Sequence, residues 1–205
     1  MKIGKYNSAW RYFMRLQGLS PLNKLRYLLR IVIGETILSR VFGKFALRIV
    51  EISLTDHCQC ICSHCFAARN APEDELSCEE VETLLDELSH IGVQEILFSG
   101  GEPLLHPNIF AIIDFAVKKG FLVRLITNGI LLDEKMVVAL KQAGLGWCSL
   151  SLDGPTPEIH DAFRGYPGCF EKVAMKQTKT YSELDFYTIF LRAQNDKKPI
   201  FLRAF

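Results

Sequence analysis

Residues 93–129, VQEILFSGGEPLLHPNIFAIIDFAVKKGFLVRLITNG, decide the fold. Val93–Phe98 is a short apolar run bounded by Gly92 and Gly100, which predicts a buried strand. Asn108–Lys119 carries Ile109, Ile112, Ile113, Ala116 and Val117 at helical spacing and closes at Gly120, which predicts a helix. Phe121–Ile126 is a second apolar run. Strand, helix and strand of these lengths make a parallel βαβ unit, because parallel neighbours need a long crossover and a helix supplies it.

The same alternation extends to both sides. Upstream, ALRIVEISL (Ala46–Leu54) alternates as a strand and ends at a polar loop, 55–75. Ser77 with Glu80 three residues on forms a capping-box signature, and Val81, Leu84, Leu85, Leu88 and Ile91 give the following helix its apolar face. Downstream, Asp133 caps a helix that runs to Gln142, and Trp147–Leu152 is a fourth strand. Residues 9–18 and 21–41 read as amphipathic N-terminal helices. After Val173 the chain lacks glycine and clear alternation, with weak strands at Phe186–Arg192 and Ile200–Arg203. In parallel α/β sheets, ligands sit at the carboxyl ends of the strands. The polar loop, Gly100–Pro103, Asn128–Gly129 and Ser151–Gly154 all fall at or just after such an end.

A net charge of +1 gives no electrostatic signature of a nucleic-acid binder. The balance conceals an asymmetry, since residues 1–50 hold ten Lys and Arg against Glu35 alone, leaving 14 basic and 22 acidic residues beyond. A basic helical segment of this kind suits either an anionic surface or plain solvation of its charges. Solvation is the simpler reading, so no membrane association is expected. Tyr27–Val41 is also too short and too charged to span a bilayer.

Four of the seven cysteines fall within eight residues, Cys58–Cys65. An odd, clustered set argues against a secreted disulfide framework and for a metal in a reducing compartment, hence a cytoplasmic protein. Cys58-x3-Cys62-x2-Cys65 can wrap one corner of an iron–sulfur cube, whose usual ligands are thiolates. Three ligands leave one iron open for a small molecule. A tetrahedral zinc site wants four ligands, and His57 and His64 keep that reading open. Cys60 reads as a packing residue beneath the loop, and Cys78, Cys148 and Cys169 as isolated structural thiols.

CQCICSHC, FSGGEPLLHP, ITNG and SLDGPTPEIHDAFRG, in this order between Val50 and Val173, closely resemble the radical SAM superfamily. The last two motifs resemble the branch that carries C-terminal SPASM domains. The resemblance implies a partial TIM-type (β/α) barrel of parallel strands, here incomplete at the C-terminus and preceded by N-terminal helices. By motif position, Cys58, Cys62 and Cys65 would ligate a 4Fe–4S cluster whose fourth iron is chelated by S-adenosylmethionine. His64 falls in the aromatic slot near the adenine, and Gly100, Gly101 and Glu102 match the segment that holds the methionyl amino group. Ser151 resembles a serine contacting the ribose or carboxylate, and Arg164 an arginine facing the methionyl carboxylate. Asn128 carries a weaker expectation, that of shaping a turn at the strand end. His106 and His160 receive no role.

The implied reaction is reductive cleavage to a 5′-deoxyadenosyl radical, which abstracts hydrogen from a peptide or a cofactor precursor. Electrons would come from a reductant such as ferredoxin or flavodoxin. The motifs divide the chain into a basic helical segment (1–45), a core (46–173) and an atypical tail (174–205). A match that stops near Val173 is the pattern left by a truncated or frameshifted reading frame. The competing expectation is therefore a non-catalytic remnant, or a cluster-binding module completed by a partner.

Overall fold

The structure is a computed structural model that describes residues 47–65, 75–177 and 185–190, together with Pro21, Leu22, Leu25 and Leu29. Those four N-terminal residues are helical. The other expectations for 1–45, and the strand expected at 200–203, lie outside the described residues.

Five strands form one parallel sheet: β1 (Ile49–Thr55), β2 (Glu95–Gly100), β3 (Leu122–Thr127), β4 (Trp147–Leu152) and β5 (Asp185–Phe190). Their order in the sheet is their order in the chain. The crossovers are α1 (Cys78–His90), α2 (Ile109–Lys118) and α3 (Glu134–Gln142). Between β4 and β5 lie α4 (Pro157–Arg164) and α5 (Cys169–Gln177). This is the arrangement of a (β/α) barrel wall, and it is the expected α/β class.

Local signals account for the starts of α1 and α3. Ser77 and Glu80 close a reciprocal capping box on α1, and Asp133 Oδ1 accepts from Met136 N–H at 2.7 Å to cap α3. Two helices lie where apolar periodicity gives no helix. The buried residues of the eight-residue α4 are His160 and Arg164, so a polar pair occupies the positions at which a hydrophobic stripe would be sought. β5 begins one residue before the weak strand expected at Phe186 and pairs with β4 from Trp147↔Asp185 to Leu152↔Phe190.

Successive strand side chains alternate between faces, and the two faces differ here. Ile52, Leu54, Ile96, Phe98, Val123, Leu125, Leu150 and Leu152 join the helix residues Val81, Leu85, Ile112, Ile113 and Leu140 in one core. The alternate residues Glu51, Ser53, Ser99, Ile126 and Ser151 line a cavity on the other face. The sheet therefore separates a dry layer from a polar one.

The upper end of β2 meets β1 at very close range. Pairing slips between Ser53 and Thr55, so that Thr55 sits opposite Gly100. Gly100 has φ +126°, and a Cβ there would lie 2.3 Å from the Thr55 carbonyl oxygen. A Cβ on Gly101 would lie 2.4 Å from the His57 oxygen and 2.7 Å from that of Asp56. Both obstacles are backbone and cannot swing aside. Gly101→Ala is accordingly expected to cost on the order of 3 kcal/mol and to displace the cysteine loop. A urea midpoint unchanged from the parent would contradict this.

Candidate functional site

Segments remote in sequence hold the cysteine loop from two sides. On one side Gly101 N–H donates to Thr55 O at 2.6 Å, and Glu102 N–H to His57 O at 2.8 Å. On the other, Ile61 and Ser63 N–H donate at 3.0 Å to the carbonyls of Arg164 and Phe163. Those carbonyls belong to the last turn of α4, where the helix offers no partners of its own. The loop's backbone is thus fixed by the end of β2 and the end of α4.

Cys58, Cys62 and Cys65 line one cavity of ≈ 630 Å³ together with His64, Gly100, Gly101, Asn128, Ser151 and Arg164. Cys60 is buried beneath the loop, as its spacing suggests. Its thiol, donating to the neighbouring sulfurs, is the main cause that holds Cys58 and Cys62 well below the usual thiol range, at about 6. Cys60 is itself pushed far up, chiefly through Cys169, which is remote in sequence and close in space. A lowered thiol pKa suits metal binding, because the thiolate is the ligand.

Two further side chains point N–H groups at these sulfurs. Arg164 is buried, forms an ion pair with Asp153 and approaches Cys62 Sγ with Nη1 at 3.6 Å. Asn128 Nδ2 lies 3.7 Å from Cys58 Sγ and 3.1 Å from Gln59 Oε1. His64 stacks on Phe163 with ring centroids 4.5 Å apart.

Glu102 sits below the cavity rather than in its wall. It is fully buried, and Oε1 accepts from Leu104 N–H at 3.1 Å and Thr127 Oγ1–H at 2.7 Å. Oε2 accepts from Asn128 N–H at 2.8 Å. One carboxylate therefore ties together the ends of β2 and β3 and the short 3₁₀ turn Pro103–Leu105. Burial pushes Glu102 up to about 7 against these three donors.

His160 and His106 are held by hydrogen bonds to backbone groups. His160 Nδ1 accepts from Asp153 N–H at 3.0 Å, and its ring lies edge-on to Phe170. His106 Nε2 bonds to Leu76 O at 2.8 Å. Glu51, Ser99 and Asp153 carry no individual expectation from the sequence, although Ser99 and Asp153 lie within the FSGGEPLLHP and SLDGPTPEIHDAFRG motifs. Period-2 alternation along β1 puts Glu51 and Ser53 on one face, and Ser99 Oγ donates to Glu51 Oε1 at 2.6 Å. Nothing in the sequence pairs Asp153 with Arg164, because that contact needs the turn into α4.

A parallel α/β sheet with a polar cavity at the carboxyl ends of its strands, walled by three thiols, defines a cofactor-binding (β/α) protein. The sequence profile of the Radical SAM superfamily matches residues 52–191, and the chain belongs to that family. It is 37% identical over 132 residues to the AdoMet-dependent heme synthase of Oleidesulfovibrio alaskensis, covering 63% of this chain and 34% of that protein. To the AdoMet-dependent heme synthase of Methanosarcina barkeri it is 40% identical over 127 residues, covering 61% and 36%. The chain thus spans about a third of the length of these curated relatives. SuiB of Streptococcus suis has a TM-score of 0.64 over 85% of this chain and 38% of its own, at 14% identity, a likeness of fold. That protein has also been solved bound to S-adenosylmethionine and to the precursor peptide SuiA.

The family binds a 4Fe–4S cluster and S-adenosylmethionine, and the residues present fit both. Among the described residues no three His, Cys, Asp or Glu side chains gather as for a single ion. A cube asks for wider spacing, because each thiolate binds a different iron. Beside the thiols, the cavity offers the Arg164 guanidinium for a carboxylate, the Glu51 and Asp56 carboxylates for an ammonium, and serine hydroxyls. Among the described residues no helix is long and apolar enough to cross a membrane.

Proposed function

We propose that this chain is the cofactor-binding part of a radical SAM enzyme, with Cys58, Cys62 and Cys65 as the ligands of a 4Fe–4S cluster. The observation that carries the reading is the opening of these three thiols into one cavity with Gly100, Gly101, Ser151 and Arg164. The chemistry supplied by the bound cofactors is reductive cleavage of a sulfonium C–S bond, giving methionine and a 5′-deoxyadenosyl radical that abstracts hydrogen from a substrate carbon. This chain's residues bind and orient. Arg164, held by Asp153, faces the methionyl carboxylate, and Ser151 hydrogen-bonds the ribose or carboxylate. Gly100 and Gly101 bring backbone close to the methionyl amino group, Glu102 braces that segment, and His64 lies toward the adenine.

The substrate class is a peptide or a cofactor precursor, in line with the names of the heme synthase relatives and the peptide complex of SuiB. The reductant is a small cytoplasmic electron carrier such as ferredoxin or flavodoxin. We take 1–45 as a basic helical segment, 46–173 as the core and 174–205 as a tail, from which β5 returns to pair with β4; the family match reaches residue 191 and so runs past Val173, where the sequence motifs end. The test is anaerobic reconstitution with iron and sulfide, then addition of dithionite and S-adenosylmethionine. Release of 5′-deoxyadenosine is expected. Cluster uptake without it would leave the second reading, a cluster-binding module that depends on a partner for turnover.

A further inference from the structure

The end of β3 supplies a side chain whose hydrogen bonds exceed what a turn requires. Asn128 is buried at 5% exposure, and its Oδ1 accepts from Ile130 N–H at 2.9 Å, a contact that by itself shapes the Asn-Gly turn. Its backbone N–H is taken by Glu102 Oε2. The amide nitrogen is left over, and it points across the cavity floor to Cys58 Sγ at 3.7 Å and Gln59 Oε1 at 3.1 Å. Gln59 Oε1 also lies 3.9 Å from Cys58 Sγ, so amide and thiol share one acceptor. Asn128 is therefore locked at both ends, by the β3 turn and by the cysteine loop. Glu102, through its bonds to Thr127 and Asn128, keeps that turn in place.

We propose that Asn128 is a positioning residue for the iron–sulfur cluster, donating an N–H···S hydrogen bond to the Cys58 ligand that raises the cluster's reduction potential. This rests on the reading of Cys58 as a ligand. The sign follows from charge. Reduction adds an electron to a cluster whose thiolate sulfurs already carry negative charge, and a neutral donor favours the more negative state. Hydrogen bonds to ligand sulfurs are among the factors that set the potential of such clusters. The donor is fixed before the cluster arrives, so little reorganisation accompanies electron uptake.

The test is the midpoint potential of the reconstituted chain, read by EPR during a redox titration, with iron content measured alongside. Asn128→Asp keeps the acceptor that Ile130 needs and removes the N–H aimed at Cys58. We expect it, and Asn128→Ala, to shift the redox equilibrium about tenfold toward the oxidised cluster, about 59 mV for one electron. A second measurement needs no variant. In parent chain labelled with ¹⁵N-asparagine, the reduced cluster should show hyperfine coupling to a side-chain nitrogen. An unshifted potential in variants that hold full iron, or absence of the coupling, overturns the proposal while leaving cluster ligation intact. A parent chain that takes up no iron overturns both.

Discussion

Replacing Cys58, Cys62 or Cys65 singly by alanine is expected to abolish cluster assembly, whereas Cys78→Ala is expected to leave it unchanged. The parent, reconstituted anaerobically, is expected to hold about four irons and four sulfides per chain and to absorb in the visible. Each loop variant should fall below about one iron, because two remaining thiolates cannot hold a cube at three of its corners. The loss is local. The loop's backbone is anchored through the backbone N–H groups of Gly101 and Glu102 and the carbonyls of Phe163 and Arg164, bonds that involve no thiol, so circular dichroism should match the parent. Cys60 provides the discriminating control. It is buried beneath the loop and belongs to the hydrophobic core, so Cys60→Ala should retain iron. Iron lost from Cys60→Ala and kept by Cys65→Ala would reassign the third ligand.

The second large effect concerns stability. Glu102→Ala strands three donors, Leu104 N–H, Thr127 Oγ1–H and Asn128 N–H, at a place without solvent. Each unmatched buried donor costs about 1–3 kcal/mol, so the sum approaches the whole stability of a domain of about 5–15 kcal/mol. Loss of a cooperative urea transition is expected. Glu102→Gln keeps the volume and one acceptor oxygen and should cost about 1–3 kcal/mol. It should also remove a pH dependence. Burial raises Glu102 from 4.5 to about 7, so the folded chain holds this proton more tightly than the unfolded chain. Its contribution is full below 4.5 and is lost as pH rises through about 7. The window corresponds to about 3 kcal/mol. Urea midpoints of parent and Glu102→Gln that run parallel across this range would refute the assignment.

The elements legible in sequence are those with a single strong signal. The Ser77–Glu80 box, the Asp133 cap and the apolar runs of β2, β3 and β4 each produced an element within two residues of its expected ends. α4 was illegible because its inward face is His160 and Arg164, held by Asp153 rather than by apolar burial. The strand at 185–190 was faint because its partner, β4, lies some forty residues earlier and no local pattern reports that pairing. Within the site, the three cysteines were legible as a spacing. Glu102 was legible only as a residue type, and its place beneath the cavity was not.

What residues 93–129 and the cysteine loop determine by themselves is local: strand, helix and loop, and the donor types each loop presents. Those depend on side-chain periodicity and chain geometry, which act over a few residues. Only the tertiary structure decided which loops touch. The close approach of Gly100 and Gly101 to Thr55–His57, the seat of Glu102 under β3 and the contact of Asn128 with Cys58 all join residues more than twenty positions apart. Such contacts exist because the parallel sheet stacks the strand ends side by side, and it is there that three thiols, a guanidinium and an amide come to share one cavity.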